Sequence, residues 1–206
     1  MHPNPAFRTT ATQTNLTFAR NRGFGMLTLN GPDGPLVAHV PFLISPDGTT
    51  LDLHLARSNP IARSGLPARA VFAVSGPDAY ISPDWYGVPD QVPTWNYVAV
   101  HLRGMLHELP ATTLRDHADA LSARFEADLL PKKPWVSGKM TEGVMERMMR
   151  MIVPFRLEVE TVDGTWKLNQ NKDAAVRQAA AKALAQQPSK DAALAVSALM
   201  IAAMPS

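Results

Sequence analysis

From Phe24 onward, apolar and polar residues alternate in short runs separated by clusters of Gly, Pro, Asp and Ser. Phe24-Gly-Met-Leu-Thr-Leu29 reads as a strand and Leu36-Val-Ala-His-Val-Pro-Phe-Leu-Ile44 as a second, with Gly31-Pro-Asp-Gly34 supplying the turn. After a Ser45-Pro-Asp-Gly48 turn, Leu51, Leu53 and Leu55 alternate with Asp52 and His54, which predicts a third strand buried on one face. Strands joined by turns this tight pair antiparallel. Arg57 to Gly65 leaves the third strand through a short helix after Pro60. Ala70 to Val74 starts a fourth strand, which Ala79-Tyr-Ile81 continues after a break at Gly76-Pro77. Trp95 to Leu109 is a long fifth strand. It places Asn96, Val98, Val100 and Leu102 on one face and Tyr97, Ala99, His101 and Arg103 on the other. Phe155, Leu157 and Val159 alternate with charged neighbours in a sixth strand, and an Asp163-Gly164 turn leads into Thr165 to Leu168.

A helical period replaces the alternation in four places. Leu16, Phe18 and Ala19 suggest a first helix ending near Gly23. Leu114, Ala118, Leu121 and Phe125 share one helical face, and Met145, Met148, Met149 and Ile152 suggest another helix stopped at Pro154. The alanine-rich end reads as two helical pieces around Gln187-Pro-Ser189. The fold class expected is therefore mainly β with flanking helices: an antiparallel barrel, closed or nearly so, which removes exposed strand edges. Residues 1–171 form the expected barrel domain with a helical insertion over about 112–152, and residues 172–206 a helical tail.

Composition narrows the function classes. With 20 Lys and Arg against 18 Asp and Glu, the formal charge is +2, and no basic stripe stands out, so direct DNA binding gains no support. The 18% of charged residues is sparse and suggests surface hidden against a second copy, as in a homodimer. Without cysteine there is no disulfide, thiolate metal site or cysteine nucleophile. The histidines show no i, i+4 pair or HExxH spacing, so no metal site is expected. Neither the start of the chain nor Ala192 to Met204 has an apolar run that reads as a signal peptide or a membrane span, and a cytoplasmic protein is expected.

Polar and aromatic residues gather where a plain barrel does not need them. In His54-Leu-Ala-Arg-Ser-Asn-Pro60, Arg57 beside Ser58 and Asn59 suits a phosphate, because its planar fork donates parallel hydrogen bonds. The same residues also read as a loop arginine with Asn59 capping a helix. Tyr80-Ile-Ser-Pro-Asp-Trp-Tyr86 and Val92-Pro-Thr-Trp-Asn-Tyr97 hold Trp85, Trp95 and all three tyrosines. Such flat surfaces with polar tips suit a flavin ring, a subunit interface or ordinary packing at the barrel end. In Trp166-Lys-Leu-Asn-Gln-Asn-Lys172 the consecutive amides either contact a flavin edge or end a strand. His39, mid-strand among apolar residues, reads as structural from its surroundings alone.

Taken together and in this order, these segments resemble the PaiB-type proteins, the FMN-binding negative transcriptional regulators. The resemblance rests on His54 to Pro60, Ala79 to Tyr86, Val92 to Val100 and Lys167 to Asn171, and runs from His2-Pro-Asn-Pro-Ala-Phe7 to about Arg177. Ser58 stands where alanine is usual, and Asn169 where serine is usual. The resemblance implies an FMN-binding split β-barrel that dimerises and holds FMN at the subunit interface. Its candidate FMN contacts here are His39, His54, Arg57, Ser58, Asn59, Ser82, Trp85, Trp95, Asn96, Lys167, Gln170 and Asn171. Two other functions stay open on such a barrel: a flavin-dependent oxidoreductase, and a heme-binding protein using His39, His54 or His101. No helix-turn-helix pattern accompanies the regulatory label, because Leu114 to Phe125 is not followed by a basic recognition helix.

Overall fold

The structure, a computed structural model, describes residues 1–187 and 191–202. Six strands close into a barrel: β1 (Phe24–Gly31), β2 (Gly34–Ile44), β3 (Thr50–Ala56), β4 (Ala68–Ile81), β5 (Thr94–Glu108) and β6 (Ile152–Lys167), in the order β1-β2-β3-β6-β5-β4. β1 pairs antiparallel with β2 and β4, and β3 pairs antiparallel with β2 and β6. Among the described residues the helices are α1 (Thr12–Arg22), α2 (Leu114–Ala127), α3 (Val144–Met149), α4 (Ala174–Ala185) and α5 (Asp191–Ala202). The mainly β barrel with flanking helices and a helical end is the fold class expected from the alternation. Most of the Gln187-Pro-Ser189 break in the tail lies outside the described residues.

Two compact units make up the chain. One comprises Leu16–Val74 and Leu102–Val162. Its core is the inward face of the alternating strands, with Leu27, Phe42, Leu53, Phe72, Leu102 and Phe155 all buried. Phe42 and Phe72 meet edge to face, ring centroids 4.6 Å apart. Gly104 sits where any Cβ would overlap the Glu158 carbonyl of the neighbouring strand, so close strand approach dictates glycine there.

The other unit comprises Met1–Asn15, Ser75–His101 and Asp163–Ser206. Its core joins Ala79, Ile81 and Tyr86 to Leu168 and to Ala180, Ala181 and Leu184 of α4, with Ala193, Val196 and Met200 of α5. The C-terminal helices thus share a hydrophobic core with the Tyr80 to Tyr86 segment.

Three local expectations are corrected. Gly76-Pro77 does not break the fourth strand: β4 runs unbroken from Ala68 to Ile81. Its buried positions shift from 70, 72 and 74 to 79 and 81, so the dipeptide absorbs a change of phase as a bulge does. Asp163-Gly164 is not a turn either, but part of the single strand β6. Gly164 is there because a Cβ would overlap the Asn15 carboxamide, whose Oδ1 accepts a hydrogen bond from Trp166 Nε1 at 2.7 Å. Finally, α3 stops at Met149, and Ile152 and Pro154 belong to β6, where Pro154 pairs with His54. Proline only removes a donor, and a strand tolerates that where no ladder bond needs it.

Candidate functional site

Of the candidate residues, five lie in the unit built on Leu16–Val74 and Leu102–Val162. His39, on β2 opposite Met26, is exposed. His54 on β3 is half-buried, and its Nδ1 lies 3.1 Å from Nε2 of His117 on α2. Burial holds both imidazoles below the usual histidine range; for His117 the neighbouring His54 adds to the effect and Asp52 opposes it.

Arg57 and Ser58 are exposed at the end of β3. The Arg57 backbone donates to the Met151 carbonyl at 2.8 Å, which fixes where the side chain starts. Its guanidinium donates from Nε to the Arg150 carbonyl (3.2 Å) and from Nη2 to the Ile152 carbonyl (3.3 Å). A guanidinium carries five N–H groups, so several remain for a ligand. Arg57 also lines a cleft of about 510 Å³ with Leu114, Arg115, Glu146, Met149 and Arg150. Asn59 caps the short turn that follows: its Oδ1 accepts from the Ile61 N–H at 2.9 Å, the capping role the sequence allowed as its alternative.

The remaining seven candidates lie in the unit that holds both aromatic segments. Ser82 caps the Pro83–Tyr86 turn, its Oγ accepting from Asp84 N–H. This turn sets Trp85 against the core and buries Tyr86, whose hydroxyl accepts from Asn169 Nδ2 at 3.2 Å. Burial raises the Tyr86 phenol above its ordinary range, and the Lys172 ammonium stands 4.3 Å from the centre of its ring. Trp95 is 54% exposed and meets Tyr80 edge to face at 6.3 Å.

Asn96 differs from these residues. It is fully buried on β5, and neither its Oδ1 nor its Nδ2 has a partner among the described residues. A buried carboxamide without partners costs free energy, and such a group marks a place where a ligand's donors and acceptors fit. In α4, Nε and Nη2 of Arg177 are also buried without partners among the described residues.

The amide run ends the strand locally. Asn169 takes a left-handed conformation (φ 62°), and the Gln170 carboxamide accepts from Leu168 N–H and donates to the Trp166 carbonyl. Asn171 is exposed, and Lys167 bonds Thr94 Oγ1, its ammonium held below the usual lysine range by burial.

Sequence reasoning missed His117. It stands 63 positions from His54 on an ordinary amphipathic helix, and no local spacing announces the pair. The buried roles of Asn15 and Asn169 escaped for the same reason: each is set by a long-range partner.

Set against known proteins, residues 1–161 match the model of a family described as "Putative FMN-binding domain". The chain is 29% identical over 170 residues to "Protease synthase and sporulation protein PAI 2" of Bacillus subtilis (strain 168), across 81% of each chain. Its fold is similar to that of the FAD and heme binding protein from Mycobacterium smegmatis, with a TM-score of 0.58 at 15% identity over 84% of this chain and 80% of that one. A conserved hypothetical protein from Mycobacterium tuberculosis gives a TM-score of 0.57, also at 15% identity, over 84% and 94%. At that identity the two structures show a shared fold.

Proposed function

Because this chain belongs to the PaiB-type FMN-binding family and FMN is its cofactor, we propose that two sets of its residues hold the flavin. Arg57, with Ser58 beside it, takes the phosphate. The exposed Trp95 and Tyr80, with Trp85 and the orphaned amide of Asn96, serve the ring system. The residues present fit the group: FMN needs a charge-assisted phosphate clamp, flat apolar surface and a few placed polar partners. His39, His54, Asn59, Ser82, Lys167, Gln170 and Asn171 complete the candidate set. Asn59, Ser82 and Gln170 act mainly by shaping turns. When bound, FMN supplies hydride or electron transfer chemistry, and the chain supplies position and polarity.

The observation that carries this reading is Arg57, an exposed residue whose backbone N–H is tied to the Met151 carbonyl and whose guanidinium donates to two main-chain carbonyls with N–H donors to spare. FMN carries close to two negative charges on its phosphate at neutral pH. Charge-assisted hydrogen bonds contribute about 1.5–3 kcal/mol each, so Arg57→Ala should weaken FMN binding roughly ten- to a hundredfold. Riboflavin, which lacks the phosphate, should bind almost as before. Arg57→Lys should recover part of the loss, because a point charge cannot reproduce the fork. Fluorescence titration of both ligands decides the matter: equal losses for FMN and riboflavin would make Arg57 structural only.

The regulatory role implied by the resemblance runs, in this reading, through a protein or small-molecule partner rather than through DNA. The near-balanced charge supports that choice.

A further inference from the structure

A side-chain hydrogen bond joins His54 of β3 to His117 of α2, two groups that can each carry a charge. The rings stand edge to face with centroids 5.3 Å apart. With Nδ1 and Nε2 3.1 Å apart, one nitrogen must donate and the other accept. That arrangement survives one added proton, since an imidazolium still donates to a neutral imidazole. It does not survive two, because both facing nitrogens then carry hydrogen and two cations stand in contact in a partly buried place.

The groups around the pair offer little relief. A cavity of about 320 Å³ beside His117 is lined by Asp52 of β3, Asp116 of α2 and Arg156 of β6, with Leu43 from β2 and Thr113 and Pro154 uncharged. Arg156 takes both oxygens of Asp52 at 2.7 Å, so that carboxylate is largely spent. At the start of α2, Arg115 is occupied by Asp119 and Glu146. Asp116 is the remaining acidic group of the cavity, and one carboxylate balances one imidazolium.

We propose that His54 and His117 form a proton-operated latch that holds α2 on β3 when at most one ring is charged and releases it when both are. Leu114 and Arg115 at the start of α2 line the cleft that contains Arg57. Acid release of α2 therefore remodels that cleft and loosens the grip on an anionic ligand. This second consequence rests on the phosphate reading of Arg57, whereas the latch does not.

Hydrogen exchange of the full chain without FMN, corrected for the intrinsic pH dependence of exchange, reads the latch alone. Between pH 7.5 and 5.5 the α2 amides should lose protection on the order of tenfold or more while β3 and β6 keep theirs, since each extra proton taken up by the open form shifts the equilibrium about tenfold per pH unit. His117→Gln keeps a hydrogen-bonding group but no charge, and should stay protected across this range. His117→Arg, permanently charged, already carries the one tolerated charge, so its α2 amides should be protected while His54 is neutral and should lose protection at a higher pH than in the wild type. Unchanged α2 protection in the wild type overturns the latch, as does an acid loss in His117→Gln equal to that of the wild type.

Titrating FMN at both pH values then reads the coupling. The phosphate's own titration is common to all variants, so wild type should lose more affinity on acidification than His117→Gln. An equal loss overturns the coupling. If FMN ignores Arg57→Ala while α2 still opens in acid, the phosphate reading fails and the latch stands.

Discussion

A buried polar group without a partner sets stability against ligand binding, and Asn96 is such a group. Its carboxamide is fully enclosed on β5, so the protein without ligand bears the desolvation cost. Asn96→Leu, close in volume and apolar, should raise the stability of the flavin-free protein by about 1–3 kcal/mol. The same change should weaken FMN binding if the amide meets the ring system. Chemical denaturation without flavin, beside a flavin titration, checks both halves; a less stable variant would show that the amide is satisfied within the fold. Gly164 presents the opposite case. Its missing Cβ makes room for the Asn15 carboxamide, so Gly164→Ala should cost about 1–3 kcal/mol through overpacking and a disturbed Trp166 bond. A thermal melt measures this directly.

Among the elements, α4 and α5 hold more than their place at the end of the chain suggests. Val196 and Met200 of α5 are buried in one core with Ile81 and Tyr86. Val196→Asp should therefore destabilise by several kcal/mol, since it puts an unpaired carboxylate among apolar neighbours. Near-ultraviolet circular dichroism should show the loss at Tyr86 and its neighbours; native spectra and an unchanged melting point would mean that α5 contributes no packing. For α2 the sign of the pH dependence follows from its histidine pair. Burial depresses both imidazoles below the unfolded value of about 6.5, so the unfolded chain binds more protons at mildly acidic pH. Stability is complete above that value and falls as pH drops through the depressed range. Urea unfolding at pH 7.5 and 5.5 should show this fall in the wild type and less of it in His117→Gln.

At the scale of the whole molecule, surface and charge bear on partners. Trp95, Tyr80, Val88 and Val92 are exposed in one unit, and this apolar surface supports the homodimer expected from the sequence, which we propose here. Light scattering at micromolar concentration should report twice the chain mass, and Trp95→Glu should shift it toward the monomer; a wild-type monomer throughout would remove the proposal. A net charge of +2 predicts no tight, competitor-resistant DNA binding at physiological salt, which a gel-shift titration checks. Among the described residues no helix is long and apolar enough to cross a membrane.

What the chain determined by itself was the period. Alternation from Phe24 to Leu55 and from Trp95 to Leu109 fixed strands, faces and antiparallel pairing, because side chains on a strand repeat every two residues and the buried face must be apolar. The family match spans residues 1–161, a stretch that includes Arg57 and both aromatic segments legible in the sequence. Punctuation was read less well. Gly76, Pro77 and Gly164 look like breaks in isolation, but in the fold they absorb a phase change or admit a neighbouring side chain. The His54–His117 bond, the orphaned Asn96 amide and the shared core of α4 and α5 were decided only in three dimensions. Each depends on which groups lie across a gap of tens of positions, and local periodicity carries no record of that distance.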